Sequence, residues 1–64
     1  MKNDYYYVGM VNGIAMHTGR NVTYVREKLM RYVDATELKI RVFKLVGGTY
    51  EHVATRYIAG GIRL

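Results

Sequence analysis

The stretch that decides the fold reads IAMHTGRNVTYVREKL, residues 14–29 of the 64-residue chain. Residues 14–18 predict a helix of about a turn and a half, and Gly19 suits the left-handed position that closes a helix. Asn21 is a good N-cap for a second helix, which is expected to begin near Val22. The stretch therefore predicts two short helices joined by a tight turn.

The second helix is predicted to bury one apolar stripe and to extend to residue 33. Apolar side chains recur there at helical spacing, at Val22, Val25, Leu29 and Tyr32 or Val33. Its other side carries polar residues, so one face packs on the rest of the domain and the opposite face meets solvent.

Residues 5–11, YYYVGMV, are aromatic and β-branched and predict a strand before the helices. Gly9 interrupts this strand and marks a bulge. Residues 12 and 13, Asn-Gly, form a break, with Asn12 as a cap for the first helix. Alternation places Tyr5, Tyr7 and Val11 on one face of the strand, and Tyr6, Val8 and Met10 on the other.

Residues 37–58 predict a β-hairpin. The segment 37–46 alternates between apolar and polar residues, Gly47-Gly48 supplies a two-residue turn with positive φ, and 49–58 returns. The turn fixes a register with the pairs Phe43–His52, Val42–Val53, Ile40–Thr55 and Lys39 opposite Arg56. Like charges that face each other in this way favour an anionic partner.

These elements predict a single α+β domain, residues 1–64, in the order β-α-α-β-β. Strand 5–11 precedes a helix-turn-helix-like unit at 14–33, the hairpin 37–58 and a flexible tail at 59–64. A three-stranded antiparallel sheet is expected to pack on the helix. Because so short a chain buries only about 60% of its unfolded surface, a homodimer is one expected source of further stability.

The composition limits the classes of function. Ten Lys and Arg against five Asp and Glu give a net charge of +5, which favours an anionic partner. Cysteine and serine are both absent, and His17 and His52 have no carboxylate partner nearby in sequence. We therefore expect no enzyme, no metal site and no cofactor. Without a leader or a long apolar run, a cytoplasmic protein with no membrane partner is expected.

Residues 14–29 resemble the helix-turn-helix of small phage and bacterial DNA-binding proteins. Ala15 matches the small residue of the first helix, Gly19 the turn glycine, Val25 the β-branched residue and Leu29 the apolar anchor. The hairpin is similar to the wing of a winged helix. Arg20 departs from the pattern, and a strand replaces the usual preceding helix, so an unrelated α+β domain with one helix on a three-stranded sheet is the alternative.

The resemblance implies that the helix at 22–33 lies in the major groove of DNA. Asn21, Thr23 and Arg26 would then meet base edges, and other cations would meet phosphates. With the basic hairpin included, the candidate nucleic-acid-binding residues are Arg20, Asn21, Thr23, Arg26, Lys28, Arg31, Arg41, Lys44 and Arg56.

Three functions compete on this sequence. The leading hypothesis is a phage or plasmid transcriptional regulator or recombination accessory factor that binds DNA. The second is an interaction protein or inhibitor from a mobile element that binds a host protein or enzyme through its sheet and tyrosines. The third is RNA or single-strand binding, which requires aromatic rings on the same exposed face as Arg41 and Arg56.

Overall fold

The computed structural model describes residues 4–58, and the predicted tail at 59–64 lies outside them. The elements are β1 (Tyr5–Val11), β2 (Ile14–Gly19), α1 (Val22–Leu29), β3 (Leu38–Val46) and β4 (Thr49–Tyr57). The strands form one four-stranded antiparallel sheet in the order β2-β1-β3-β4. α1 packs on one face of this sheet, mainly over β1 and β2 and less over β3.

The predicted helix at residues 14–18 is wrong, because these residues form strand β2. The described chain therefore has four strands instead of three and one helix instead of two. The cause is the turn at Asn12 and Gly13, whose φ angles of 51° and 85° are both positive. Asn-Gly in this conformation joins two antiparallel strands, and Val11 pairs with Ile14 across it. Turn chemistry thus outweighs the capping role expected of Asn12.

The Asn12 side chain also fixes where β3 begins. Its Oδ1 accepts hydrogen bonds from the Thr36 and Glu37 backbone N–H groups, both at 2.9 Å, and from the Thr36 hydroxyl at 3.0 Å. The Asn12 N–H donates to the Glu37 carbonyl at 2.9 Å. The β1–β2 turn is thereby tied to the chain entering β3, next to the pair Val11–Leu38.

Asn21 is the N-cap of α1, as predicted, and its Oδ1 accepts from the Tyr24 N–H at 3.1 Å. The helix ends at Leu29 with Met30 as its C-cap, four residues before the expected end at 33. Residues 30–36 then turn back toward the sheet. α1 is therefore a short helix whose stability depends on packing, as expected for helices of this length.

The helix docks where β1 has no side chain. A Cβ on Gly9 would lie 2.9 Å from Val25 Cγ1 and 3.0 Å from Leu29 Cδ2, so only glycine allows this close approach. Val25 and Leu29 are fully buried, and such burial stabilises by about 1.5–3 kcal/mol for each side chain. The other core residues are Val11, Ala35, Leu38, Ile40 and Val42.

The predicted β3–β4 hairpin is present. Its predicted register is confirmed near the turn and is wrong farther from the turn. Gly47 and Gly48 have φ angles of 58° and 85°, and the predicted pair Phe43–His52 is present. A β-bulge follows, so Val53 has no opposite residue. Beyond it the pairs are Val42–Ala54, Arg41–Thr55, Ile40–Arg56 and Lys39–Tyr57.

This shift changes the face of Arg56. Because Arg56 pairs with the buried Ile40, it lies on the helix side of the sheet. The like-charge pair expected between Lys39 and Arg56 therefore does not exist, and Lys39 stands opposite Tyr57. The argument for an anionic partner that rested on that pair is removed.

Candidate nucleic-acid interface

The sheet face opposite α1, here called the open face, carries aromatic and basic side chains. Alternation along the paired strands assigns its members, and none of them is Asp or Glu. They are Tyr6, Val8, Met10, Ala15, Thr18, Lys39, Arg41, Phe43, Leu45, Tyr50, His52, Thr55 and Tyr57.

Three aromatic rings from three strands meet at one end of the open face. Tyr6, Phe43 and Tyr50, together with Val8, line a shallow apolar depression of about 260 Å³. The Tyr6 and Tyr50 ring centroids are 5.5 Å apart at an interplanar angle of 44°. Phe43 lies edge-on to His52, with the centroids 5.5 Å apart. These neighbours hold the rings in place while the depression stays open to solvent.

Cationic side chains lie against these rings. The Arg41 guanidinium carbon is 5.3 Å from the Phe43 ring centroid, and Arg20 Nη2 donates to the Tyr50 hydroxyl oxygen at 3.0 Å. The cation–π contact holds the Arg41 guanidinium on the Phe43 ring and uses none of its N–H groups. The open face therefore presents apolar rings and positive charge side by side.

Lys39 extends the positive charge toward the far end of the open face. Its ammonium is 5.8 Å from the Tyr57 ring centroid and 3.8 Å from Glu37 Oε1. Both groups of this ion pair are partly exposed, so it contributes little to stability and competes weakly with another anion. Tyr57 is 69% exposed, which leaves its ring accessible.

The sequence-predicted binding residues do not come together in one place. Arg41 belongs to the open face and Arg20 reaches that face through the Tyr50 hydroxyl. Thr23, Arg26 and Arg56 instead line a groove beside α1 on the other side of the sheet. Arg41 and Arg56 thus lie on opposite faces. The single-strand hypothesis expected both arginines on the same face as exposed aromatic rings, and only Arg41 lies there.

The remaining candidates are scattered. The Asn21 side chain is used to cap α1. The Lys28 ammonium lies 5.2 Å from the Tyr24 ring centroid on the helix. Lys44 lies 5.8 Å from the Tyr5 ring centroid on the helix side of the sheet, and Arg31 is exposed after α1. No shared surface joins these residues to Arg41, so their roles stay predictions.

Sequence reasoning missed Phe43, Tyr50 and His52 as members of the site. The signal for Phe43 was present, because it alternates with Arg41 and shares its face. Tyr50 becomes part of the cluster only through the pairing of β3 with both β1 and β4, which the sequence did not specify.

Comparisons with models of known protein families, with curated protein sequences and with solved structures found no match to this chain. Within residues 4–58, no helix has the length and apolar character needed to cross a membrane.

Proposed function

We propose that the protein binds single-stranded nucleic acid on its open face, with bases stacking on Tyr6, Phe43 and Tyr50. The observation that carries this proposal is the grouping of three rings on one accessible sheet face with the guanidinium groups of Arg20 and Arg41 beside them. Stacking of a base on an aromatic side chain contributes about 1–3 kcal/mol and accepts any base.

The cations of the open face would bind the phosphates. Arg20 and Arg41 flank the rings, and Lys39 continues the positive charge along β3. The net charge of +5 adds a longer-range attraction for a polyanion. Neutralising each phosphate on a single strand releases counterions, so the affinity is expected to fall as salt rises.

Single strands fit this surface better than a duplex does. The broad faces of paired bases are hidden in the stack, whereas unpaired bases expose them to aromatic rings. The expected reading of duplex DNA by residues 22–33 relied on a helix at 14–18, which is strand β2. Binding to a duplex is therefore measured as the comparison in the experiment that follows.

The test is fluorescence anisotropy with labelled oligothymidine and oligouridine of about 12 nucleotides, a length within the range of single-strand binding sites. We expect micromolar binding that weakens with salt. Phe43→Ala and Tyr6→Ala should each reduce the affinity about tenfold, the effect of one lost stacking contact. Tyr6→Phe keeps the ring and should bind like the unmodified protein.

Tyr24→Ala is the matched control. Tyr24 also lies beside a cation, Lys28, but on the exposed helix surface away from the open face. Its loss should leave binding unchanged. The proposal fails if a duplex of the same length binds as tightly as the single strands, or if Phe43→Ala and Tyr24→Ala have equal effects. It also fails if no binding occurs at low salt, and the open face would then be examined as a protein-binding surface.

A further inference from the structure

The helix side of the sheet is only partly covered. A helix with its side chains is about 10 Å wide, and neighbouring strands are about 4.8 Å apart, so one helix covers about two strands. α1 lies over β1 and β2 and reaches β3, where Leu38, Ile40 and Val42 are buried. Among residues 4–58, the helix side of β4 is the part of the sheet without a comparable cover. This strip lies on the other side of the sheet from the open face, and Tyr57 at its end lines both surfaces.

A groove runs along this uncovered strip, between α1 and β4. One section, of about 520 Å³, is lined by residues that include Val22, Met30 and Ile58. A second section, of about 460 Å³, shares Val22 and Arg56 with the first and continues over Val42 and Val53. The floor is apolar, and the two sections form one groove beside the helix.

Two arginines give the groove its charge. Arg26 of α1 and Arg56 of β4 both line it, and no Asp or Glu is among the residues that line either section. Neither arginine side chain makes a hydrogen bond or ion pair with any residue of 4–58. Two unpaired cations over an apolar floor complement a ligand that is itself apolar in the middle and acidic at its edges.

A second copy of this chain does not supply that ligand. Its α1 has one acidic residue, Glu27, which lies between Arg26 and Lys28, so the helix carries a net positive charge. Packing the two copies helix to groove would bring these cations close to Arg26 and Arg56, and like charges in an interface oppose association.

We propose that this groove, here called the α1–β4 groove, docks an amphipathic helix of a partner protein with acidic residues flanking its apolar stripe. Such a helix would lie beside α1 and complete the second layer over β4, with carboxylates paired to Arg26 and Arg56. The surface is separate from the open face, so the proposal does not depend on nucleic-acid binding.

The test uses a designed probe, a capped peptide of about 14 residues with Leu at helical a, d and e positions and Glu on the flanks. A second peptide has Lys in place of every Glu. Binding is measured by anisotropy and mapped by amide chemical shifts on the full chain. We expect the Glu peptide to bind and to shift Val22, Val53 and Ala54, and the Lys peptide to bind at least about tenfold more weakly.

Charge reversal sharpens the test. Arg26→Glu with Arg56→Glu should weaken the Glu peptide about tenfold and strengthen the Lys peptide, the expected effect of two partly exposed ion pairs. Lys28→Glu with Arg31→Glu makes the same change in net charge outside the groove and is the matched control. Both arginines of the first pair are exposed, so folding should be kept, and Val53→Asp provides a second variant that should weaken the Glu peptide.

Four results would overturn the proposal. The two peptides bind equally; the two double variants weaken the Glu peptide equally; the shifts map to the open face; or a concentration-dependent dimer forms and is abolished by Arg26→Glu with Arg56→Glu. The last result would assign the groove to a second copy of the chain.

Discussion

The two faces of the sheet are made by the same strands but carry different residues. Under α1, β1 presents Gly9 and Val11, and β3 presents Leu38 and Ile40, all of which are buried. On the open face the same strands present larger aromatic and cationic side chains that are only partly buried. The open-face rings contact one another and the arginines, although no other element within residues 4–58 covers them.

The residues under α1 are expected to stabilise the fold, and the residues of the open face are expected to serve the proposed binding. Removing side-chain atoms under α1 should lower the free energy of unfolding, because the truncation leaves a cavity in a closely packed region. Removing rings from the open face should cost little stability and much of the proposed affinity. The variants below test this separation, beginning with the largest expected change in the free energy of unfolding.

Leu29→Ala should have the largest effect. Leu29 is fully buried against Gly9, and such a truncation destabilises by about 2–5 kcal/mol. That is a large share of the stability of a small domain. Tyr6→Ala, on the open face, should cost about 1 kcal/mol, the scale of a cross-strand aromatic pair. Urea denaturation measures both, and equal costs would contradict the separation of the two faces.

Gly9→Ala tests the contact between β1 and α1. The added Cβ would lie 2.9 Å from Val25 Cγ1, and overpacking of this kind costs about 1–3 kcal/mol. Gly19→Ala is the control, because its Cβ would lie 3.7 Å from Val25 Cγ2, an ordinary contact. Thermal unfolding should show a lower midpoint for the first variant than for the second. The reverse order would mean that α1 does not pack against Gly9.

Asn12→Gly distinguishes the two roles of Asn12, which are the positive φ of its backbone and the hydrogen bonds that its side chain accepts. Glycine keeps the positive φ of the turn but removes the acceptor for Thr36 and Glu37, at a cost of about 1–2 kcal/mol. Gly47→Asn makes the opposite exchange in the other hairpin, at a φ of 58° that is close to the 51° of Asn12. Because asparagine is enriched among the non-glycine residues with positive φ, its cost should be about 1 kcal/mol or less. Urea denaturation of the pair would show whether the Asn12 side chain or its backbone matters.

The two turns also show what the sequence could predict. Gly47-Gly48 lies between two long alternating strands, so the hairpin was evident. Asn12-Gly13 has the same conformation and the stronger hairpin sequence, but the segment after it, residues 14–18, is too short for periodicity to choose between helix and strand. The turn residues decided the fold, and the resemblance to a helix-turn-helix favoured the wrong alternative.

The two β-bulges, in β2 and β4, explain why the predicted faces and strand pairs were partly wrong. One extra residue in a strand reverses the face of every residue beyond it, and Val53 and Met16 are such residues. Nothing in their local composition marks them, because only the packing of the sheet against α1 decides which register is kept. About half of the candidate site, Tyr6, Arg41 and Phe43, follows from alternation alone. Arg20 and Tyr50 required the strand order.

Tyr50→Phe should have a small effect on stability and is the finest test of the open face. It removes the hydroxyl that accepts from Arg20 but keeps the ring and the charge. The free energy of unfolding should change by about 0.5–1 kcal/mol at most, because the bond is exposed. Single-strand affinity should fall about twofold, since the guanidinium must then be ordered on binding.

The salt dependence of single-strand binding distinguishes two contributions of Arg20: its charge, and the position in which the Tyr50 hydroxyl holds it. Each phosphate contact contributes about 0.7 to the slope of log affinity against log salt for single strands. Arg20→Ala should reduce the slope by about that amount, whereas Tyr50→Phe should leave it unchanged. Tyr57→Phe, which alters a hydroxyl at the other end of the open face, is the control for both. If Tyr50→Phe lowers the slope as Arg20→Ala does, the hydroxyl itself binds the ligand, and Tyr50 is more than a stacking ring that holds Arg20 in place.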